Sequence, residues 1–288
     1  MNYRNLLIIV ALSIVFIAAK KHKTKVFTLK KFKNSISKID SNLYASKYET
    51  SNFLYRTFLN DLKKQGKTEK LKIAQIDSLN WRTPLAYNEP YVDLYHKHPA
   101  FNEYPVVNVS YEGANLFCEW LTNKYNNYHK RKFKKVKFRL PTQVEWEKAA
   151  RGNLKNTIYP WGGYNTINHK GEDFCNYLKI SQANIHYDSL RKQLVIIKDD
   201  TYCDGKTDLQ RKHKILGCVP EPINWYSPNS FDIYNISGNV AEMVQQKGII
   251  RGGSMCSPGY DVRIESIDIY NKSETYIGFR YFMEVIEF

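Results

Sequence analysis

The chain has 288 residues, 43% hydrophobic and 14% aromatic, with 22 Tyr, 14 Phe and a formal net charge of +15. That apolar content excludes a disordered chain and supports a core filling one large domain or two small ones. The positive charge fits nucleic acid, anionic lipid or acidic glycan. No zinc-finger or RNA-binding signature accompanies it, and Lys, Asn, Ile and Tyr are abundant together, so nucleic acid is not expected as a partner.

An apolar run from Leu6 to Ala19, interrupted only by Ser13, opens the chain. It is shorter than the roughly 20 residues of a membrane-spanning helix and has the size of a signal-peptide core. Ala18 and Ala19 suit cleavage and Ile17 does not, so residues 1–19 read as a signal peptide or an N-terminal membrane anchor. Lys20, Lys21, Lys23 and Lys25 follow the run and only Arg4 precedes it, the reverse of what the positive-inside rule favours for export. Export remains the expectation, to a periplasmic or membrane-anchored place in the cell envelope. Residues 20–42 read as a basic tether, solvated or resting on an anionic membrane, and 43–288 as the folded domain.

From Leu43, LYASKYETSN alternates like a strand, and FLYRTFLNDLKKQ continues at helical spacing. PVVNVSYEGANLFCEWLTNKYN, from Pro105, reads as a short strand followed by a helix with Ala114, Phe117, Cys118 and Leu121 on one face. The basic run HKRKFKKVKFR leads into RLPTQVEWEKAARG. There Thr142 and Glu145 have the spacing of a capping box, and Gly152 is placed to stop the helix. From there to Phe231 periodicity is sparse and turn signals dominate: YPWGG, Asp199-Asp200, YSPNS. So long an irregular stretch needs metals, disulfides or packed aromatics to hold it.

Of the cysteines, Cys118 falls inside the helical pattern as a small buried hydrophobe. Cys203 and Cys218 flank a polar loop that they would close in an oxidising compartment. The odd count leaves at least one thiol unpaired in a monomer. His96 and His98 stand two apart beside Pro99, as a zinc pair or, by preference, as solvent-exposed or aromatic-packed side chains.

Three constraints follow one another between Asn235 and Phe279. NISGNVAEM offers oxygens and a bend for one cation, Gly252 and Gly253 allow close backbone approach, and Cys256 follows as a candidate groove thiol. With LYASKYETSNFLYRTFL, PVVNVSYEGANLFCEWL, FRLPTQVEWEKAARG, YPWGG, ANI at Ala183–Ile185 and the closing GFR, this order resembles the formylglycine-generating enzyme or sulfatase-modifying-factor family from about Leu43 to Val285. The resemblance implies a single mixed α/β domain, C-type-lectin-like, with short strands, few helices and much irregular loop.

It also implies metals. One structural Ca²⁺ would be held by the side chains of Asn235 and Glu242 and the carbonyls of Gly238 and Val240. A second would take Asn184, the Ile185 carbonyl, an acid from Asp199 or Asp200, and the Tyr202 carbonyl. The family's oxidation of a protein cysteine uses Cu(I) on two thiolates, a soft ion on soft ligands. Here Cys256 takes the first thiolate position, given one residue deleted after Ser254, and Asp261 stands at the second. Ala241 stands where the family lines the site with Trp, and Met243 replaces another aromatic. The catalytic pattern is thus reduced to the lone thiol Cys256, while Gly252, Gly253, Ser254, Tyr260 and Asp261 keep a groove for a protein or peptide.

NEPYVDLYHKHPAFNEYPVVNVSY together with GNVAE is similar to the gliding-motility, type IX secretion branch in Bacteroidota. The implied function is a non-catalytic envelope scaffold or protein-binding domain. The alternative is a copper-dependent oxidase converting a protein cysteine to formylglycine.

Overall fold

The structure, a computed structural model, describes residues 32–82, 88–179, 185–190, 192–196 and 219–288. The expected leader and most of the tether, the sites at Asn184, Asp199, Asp200 and Tyr202, and the Cys203–Cys218 pair lie outside the described residues.

Two four-stranded sheets organise the domain. The first has the order β1 (Ile36–Lys38), β2 (Leu43–Ser46), β10 (Phe282–Glu287), β3 (Lys135–Arg139), antiparallel throughout. Alternation along its strands divides the core, since successive side chains point to opposite faces. Tyr44, Val136, Phe138, Met283 and Val285 face the helices, whereas Leu43, Ala45 and Phe282 face a second cluster around Trp146. The other sheet runs β8 (Ile267–Ile269), β7 (Ile249–Arg251), β6 (Ala241–Met243), β9 (Ile277–Gly278), with β6 and β9 parallel. A separate hairpin pairs β4 (Ile185–Asp188) with β5 (Gln193–Ile196).

The helices form where their caps and apolar spacing demand. In α1 (Asn52–Lys64) Ser51 Oγ accepts from the Leu54 N–H at 3.2 Å, satisfying an otherwise orphaned donor. Tyr55, Phe58 and Leu62 fall on its buried face. A short α2 (Thr68–Ala74) and α3 (Pro90–Leu94) precede α4 (Tyr111–Asn126), which is capped by Ser110 and buries Ala114, Phe117, Cys118 and Leu121, as the sequence pattern requires. Edge-on rings link these helices to one another and to the first sheet: Phe58–Phe117 at 5.7 Å and Tyr125–Phe138 at 5.9 Å between centroids. In α5 (Gln143–Arg151) the capping box of Thr142 and Glu145 is present, and Gly152 ends the helix at φ +60°. Arg139 then binds both Glu145 oxygens at 2.7 Å and Glu284 at 3.0 Å, tying β3, α5 and β10 together.

Two expectations are corrected. The fold begins before Leu43. Phe32 is buried against Phe138 and Tyr281, and β1 pairs with β2, because Phe32 and Ile36 are apolar side chains that the first sheet can cover. Pro105–Val109 forms no strand beyond one bridge from Pro105 to Ser51. Asn108 adopts φ +59° and breaks the extended run, and Val106 and Val107 enter different clusters. The irregular stretch after α5 is held partly by stacked aromatics: Tyr159 on Trp161 at 4.9 Å, and Trp161 on Phe174 at 5.1 Å.

His96 and His98 do not act as a pair. His98 caps a short turn through the Ala100 N–H, while His96 is buried with Nδ1 2.9 Å from Asn52 Oδ1. Asn52 spends its amide N–H groups on the carbonyls of Tyr95 and Phe101, so its oxygen accepts and Nδ1 of His96 donates. Nε2 is left buried without a partner. Burial, with the charges of Arg56 and Lys97 adding to it, pushes this imidazole down to about 3 from the usual 6.5. Below pH 6.5 the unfolded chain takes up a proton that the folded chain refuses, so stability present above that pH is lost as pH falls toward 3. Urea titrations should show this loss at up to about 1.4 kcal/mol per pH unit. His96→Gln should be less acid-sensitive than the parent; equal acid slopes would disprove the assignment.

Candidate functional site

At the centre of the second sheet, β6 carries Glu242 into a fully enclosed position. Its carboxylate receives Arg280 Nε at 2.8 Å, Arg280 Nη2 at 2.6 Å and Trp146 Nε1 at 2.8 Å. Arg280 also donates to the carbonyls of Ser46 at 3.0 Å and Tyr234 at 2.9 Å. Such charge-assisted, bidentate bonding is what makes a buried ion pair tolerable. A second carboxylate, Glu49, accepts from Asn235 Nδ2 at 3.1 Å and from Asn239 Nδ2 at 2.9 Å. Burial pushes Glu49 up to about 8; the Arg280 charge opposes that and the Glu242 charge adds to it.

These contacts decide how the expected calcium ligands are used. Asn235, at φ +49°, keeps its amide oxygen buried and without a hydrogen-bond partner, which fits an electropositive ligand. Gly238 packs nearby in the same motif, its N–H donating to the Gly252 carbonyl at 2.8 Å. Val240 is buried against Trp81 and Met255. Glu242, the expected charged ligand, is instead committed to Arg280 and Trp146. Among the described residues no three His, Cys, Asp or Glu side chains gather around one point. The motif thus fits a cation through Asn235, with Glu242 already neutralised from within the protein. Ile185 belongs to β4, and its partners in the expected second site lie outside the described residues.

The residues expected to floor a groove begin in the turn after β7 (Ile249–Arg251). Gly252 has φ +86° and Gly253 φ +62°, a region open to glycine at no steric cost. A Cβ on Gly252 would lie 2.8 Å from the Ile236 carbonyl oxygen, and one on Gly253 2.7 Å from that of Asp261. Ser254 is buried; its Oγ accepts from the Cys256 N–H at 3.2 Å, and its N–H donates to Ser257 Oγ at 3.0 Å. Tyr260 stands 67% exposed with the Arg263 guanidinium 3.3 Å from its ring centre. Arg251 is enclosed, donating to Glu147 and to the Ile264 carbonyl, and lies over the Trp146 ring.

Beside the turn lies a cavity of about 160 Å³ lined by Ala241, Gly253, Ser257, Asp261, Asp268 and Tyr276, among others. Cys256 does not line it. That thiol is half-buried against the Trp81–Tyr95–Met255 cluster, on whose edge Tyr276 also packs. Cys118 and Cys175 are buried elsewhere, and burial pushes both thiols well up. Among the described residues there is therefore no second thiolate for Cu(I), and the site does not fit the two-sulfur centre. Burial, and then the neighbouring Asp268, push the Asp261 carboxyl up.

Sequence reasoning named Glu49 within a motif and Arg280 within GFR without giving either a role. The signal available was a buried-charge count: a carboxylate inside a strand of AEM needs a cation, and GFR supplies it. Asp268 carried no sequence signal. Arg280→Met would leave Glu242 enclosed and unpaired, and should cost about 3–5 kcal/mol in urea unfolding. The pair Glu242→Gln with Arg280→Met should recover part of that loss. A cost for Arg280→Met below about 1 kcal/mol would show that the pair is not structural.

Comparison with known proteins matches residues 30–285 to the family described as Sulfatase-modifying factor enzyme 1-like domain. The formylglycine-generating enzyme of Thermomonospora curvata is 31% identical over 139 residues, covering 48% of this chain and 32% of that protein. The Inactive C-alpha-formylglycine-generating enzyme 2 of Mus musculus is 29% identical over 161 residues, covering 53% and 38%. The chain spans about a third of the length of the curated relatives it matches. The crystal structure of CarF resembles this fold with a TM-score of 0.50 at 18% identity, over 85% of this chain and 87% of that one. This last likeness concerns the fold alone. The chain belongs to the sulfatase-modifying factor enzyme 1-like domain family.

Proposed function

We propose that this chain is a non-catalytic member of its family, a protein- or peptide-binding domain working as an envelope scaffold through the groove around Gly252, Ser254 and Tyr260. The observation that carries this reading is the division of the former catalytic pair: Cys256 packs into an apolar cluster while Asp261 lines a separate cavity. A relative named as inactive supports it, since the family holds members of that kind. The motif resemblance extends the reading to gliding motility or type IX secretion in Bacteroidota, to a C-type-lectin-like arrangement, and to an exported chain, periplasmic or tethered to the membrane by its N-terminal segment. No helix among the described residues is long and apolar enough to cross a membrane, and the N-terminal apolar run lies outside them.

The relatives that are formylglycine-generating enzymes favour a second reading, oxidation of a protein cysteine at copper with Cys256 as the lone thiol ligand. The two part in one assay. The full chain, loaded with Cu(I) and supplied with O₂, is incubated with a peptide carrying a Cys-x-Pro-x-Arg site, beside an active family enzyme as control. Mass spectrometry should find the peptide cysteine unchanged. Conversion to the aldehyde, abolished by Cys256→Ala, would sink the scaffold reading.

A structural Ca²⁺ at Asn235, with the carbonyls of Gly238 and Val240, belongs to the same proposal, supported by the orphaned Asn235 oxygen. Added Ca²⁺ should raise the melting temperature of EDTA-treated protein, and Asn235→Ala should remove that response. A melting temperature indifferent to Ca²⁺, with no metal in elemental analysis, would leave the Glu242–Arg280 pair as the motif's sole electrostatic support.

A further inference from the structure

We propose that the folded domain docks on an anionic membrane through edge strand β3 and the basic loop that leads into it. The inference goes beyond the groove reading and does not depend on it, since the groove residues follow β7 in the other sheet. Lys130, Arg131, Lys132, Lys134, Lys135 and Lys137 are all exposed, while Phe133, Val136 and Phe138 among them are buried. Along β3 the two-residue period sends Lys135 and Lys137 outward and Val136 and Phe138 into the core. The loop is fixed in place by its neighbours. The Tyr125 hydroxyl accepts from the N–H groups of Lys132 and Phe133, both at 3.2 Å. Asn126 bonds to both backbone groups of Val136, at 2.9 and 3.0 Å.

The positive charge of this face is unmatched. No acidic residue falls between Glu119 and Glu145 in the sequence. Elsewhere lysines are paired: Lys70 with Glu119, Lys148 with Asp40, Lys247 with Glu112. Lys130, Lys132, Lys134, Lys135 and Lys137 make no ion pair among the described residues. On the adjoining strand Glu284 is held by Arg139, which leaves Glu287, opposite Lys135 in the ladder, as the nearest acid. Lysines on an edge strand guard it against pairing with another chain. That reason does not extend to Lys130, Arg131, Lys132 and Lys134, which precede the strand.

Two further observations point to lipid. Beside the basic loop Phe288 is 65% exposed and Ile286 47%, with the Phe288 ring 5.7 Å from that of Phe133. Apolar side chains set among lysines suit the boundary between acyl chains and anionic headgroups. The expected basic tether also joins the fold here. Lys30 and Lys31 precede Phe32, whose ring packs on Tyr125 and Phe138, the side chains behind the loop and β3. A nucleic acid would account for the charge and leave Ile286 and the converging tether unexplained.

The test adds the full chain to preformed vesicles of phosphatidylcholine, alone or in equal parts with phosphatidylglycerol, and acetylates the accessible amines. Mass spectrometry should find Lys132, Lys134, Lys135 and Lys137 protected on the anionic vesicles only, with Lys155 and Lys170 reacting on both. The combined variant Lys132→Gln, Lys134→Gln, Lys135→Gln and Lys137→Gln should lower the anionic-over-neutral partition ratio at least about tenfold. Salt should lower the parent's ratio as well. Lys97→Gln, Lys155→Gln, Lys170→Gln and Lys192→Gln together, an equal loss of charge at exposed positions off the first sheet, should leave the ratio near the parent's. Binding to both vesicles with none of the four lysines protected would overturn the proposal, by assigning attachment to the N-terminal apolar run alone. An equal fall in the second variant would overturn it by reducing the effect to net charge. Unchanged vesicle binding in the first variant, with loss of single-stranded RNA binding, would overturn it in favour of nucleic acid.

Discussion

One buried guanidinium holds the architecture together. Arg280 lies between the two sheets and bonds to Glu242 on β6, to the carbonyl of Ser46 at the end of β2, and to the carbonyl of Tyr234 before the motif that enters β6. The bonds to Glu242 and to the Ser46 carbonyl are buried, and an unmade bond in so enclosed a place costs far more than a made one returns. Geometry there is consequently determined: wherever the backbone of β2 and the 234–242 segment goes, it must keep its oxygens on this one cation. Trp146 extends the constraint to α5, because its Nε1 bonds to Glu242 and its ring lies under Arg251 and against Gly252. The turn at Gly252 is therefore backed by Trp146 and, through it, by the Glu242–Arg280 pair.

Local physics was readable in the chain, and long-range pairing was not. The capping box at Thr142 and Glu145 and the apolar face from Ala114 to Leu121 follow from spacing alone and stand as read, whereas the strand that opens at Leu43 ends at Ser46 rather than running on to Asn52. The early start of the fold was hidden because Phe32 and Ile36 lie among lysines, and only their partners, Phe138, Tyr281 and β2, show that they are covered. The Pro105–Val109 run looked like a strand because every valine in it is apolar. Its backbone bonds go instead to scattered partners, the Val106 N–H to the Thr50 carbonyl and the Asn108 N–H to that of Glu274.

The site divides the same way. Gly252, Gly253 and Ser254 were legible because glycine pairs and short polar side chains have few other uses in such a turn. The departure of Asp261 from a thiolate was legible too. Its companion Asp268 lies on β8, in another segment, and only the sheet brings the two acids to one cavity. Family membership is shown over residues 30–285, whereas the proposed loss of one activity rests on a few side chains in and after the turn that follows β7. A fold that is kept is free to change what it holds.

The placement of β10 has a consequence for how this protein is made. Phe282 and Met283 pair with Ala45 and Tyr44 on one side and with Arg139 and Phe138 on the other. An inner strand of the first sheet is thus the last of the four to be synthesised, and the sheet cannot be completed before it. Contacts so distant in sequence make folding slow. Until synthesis has passed residue 287, β3 lacks its partner in the first sheet.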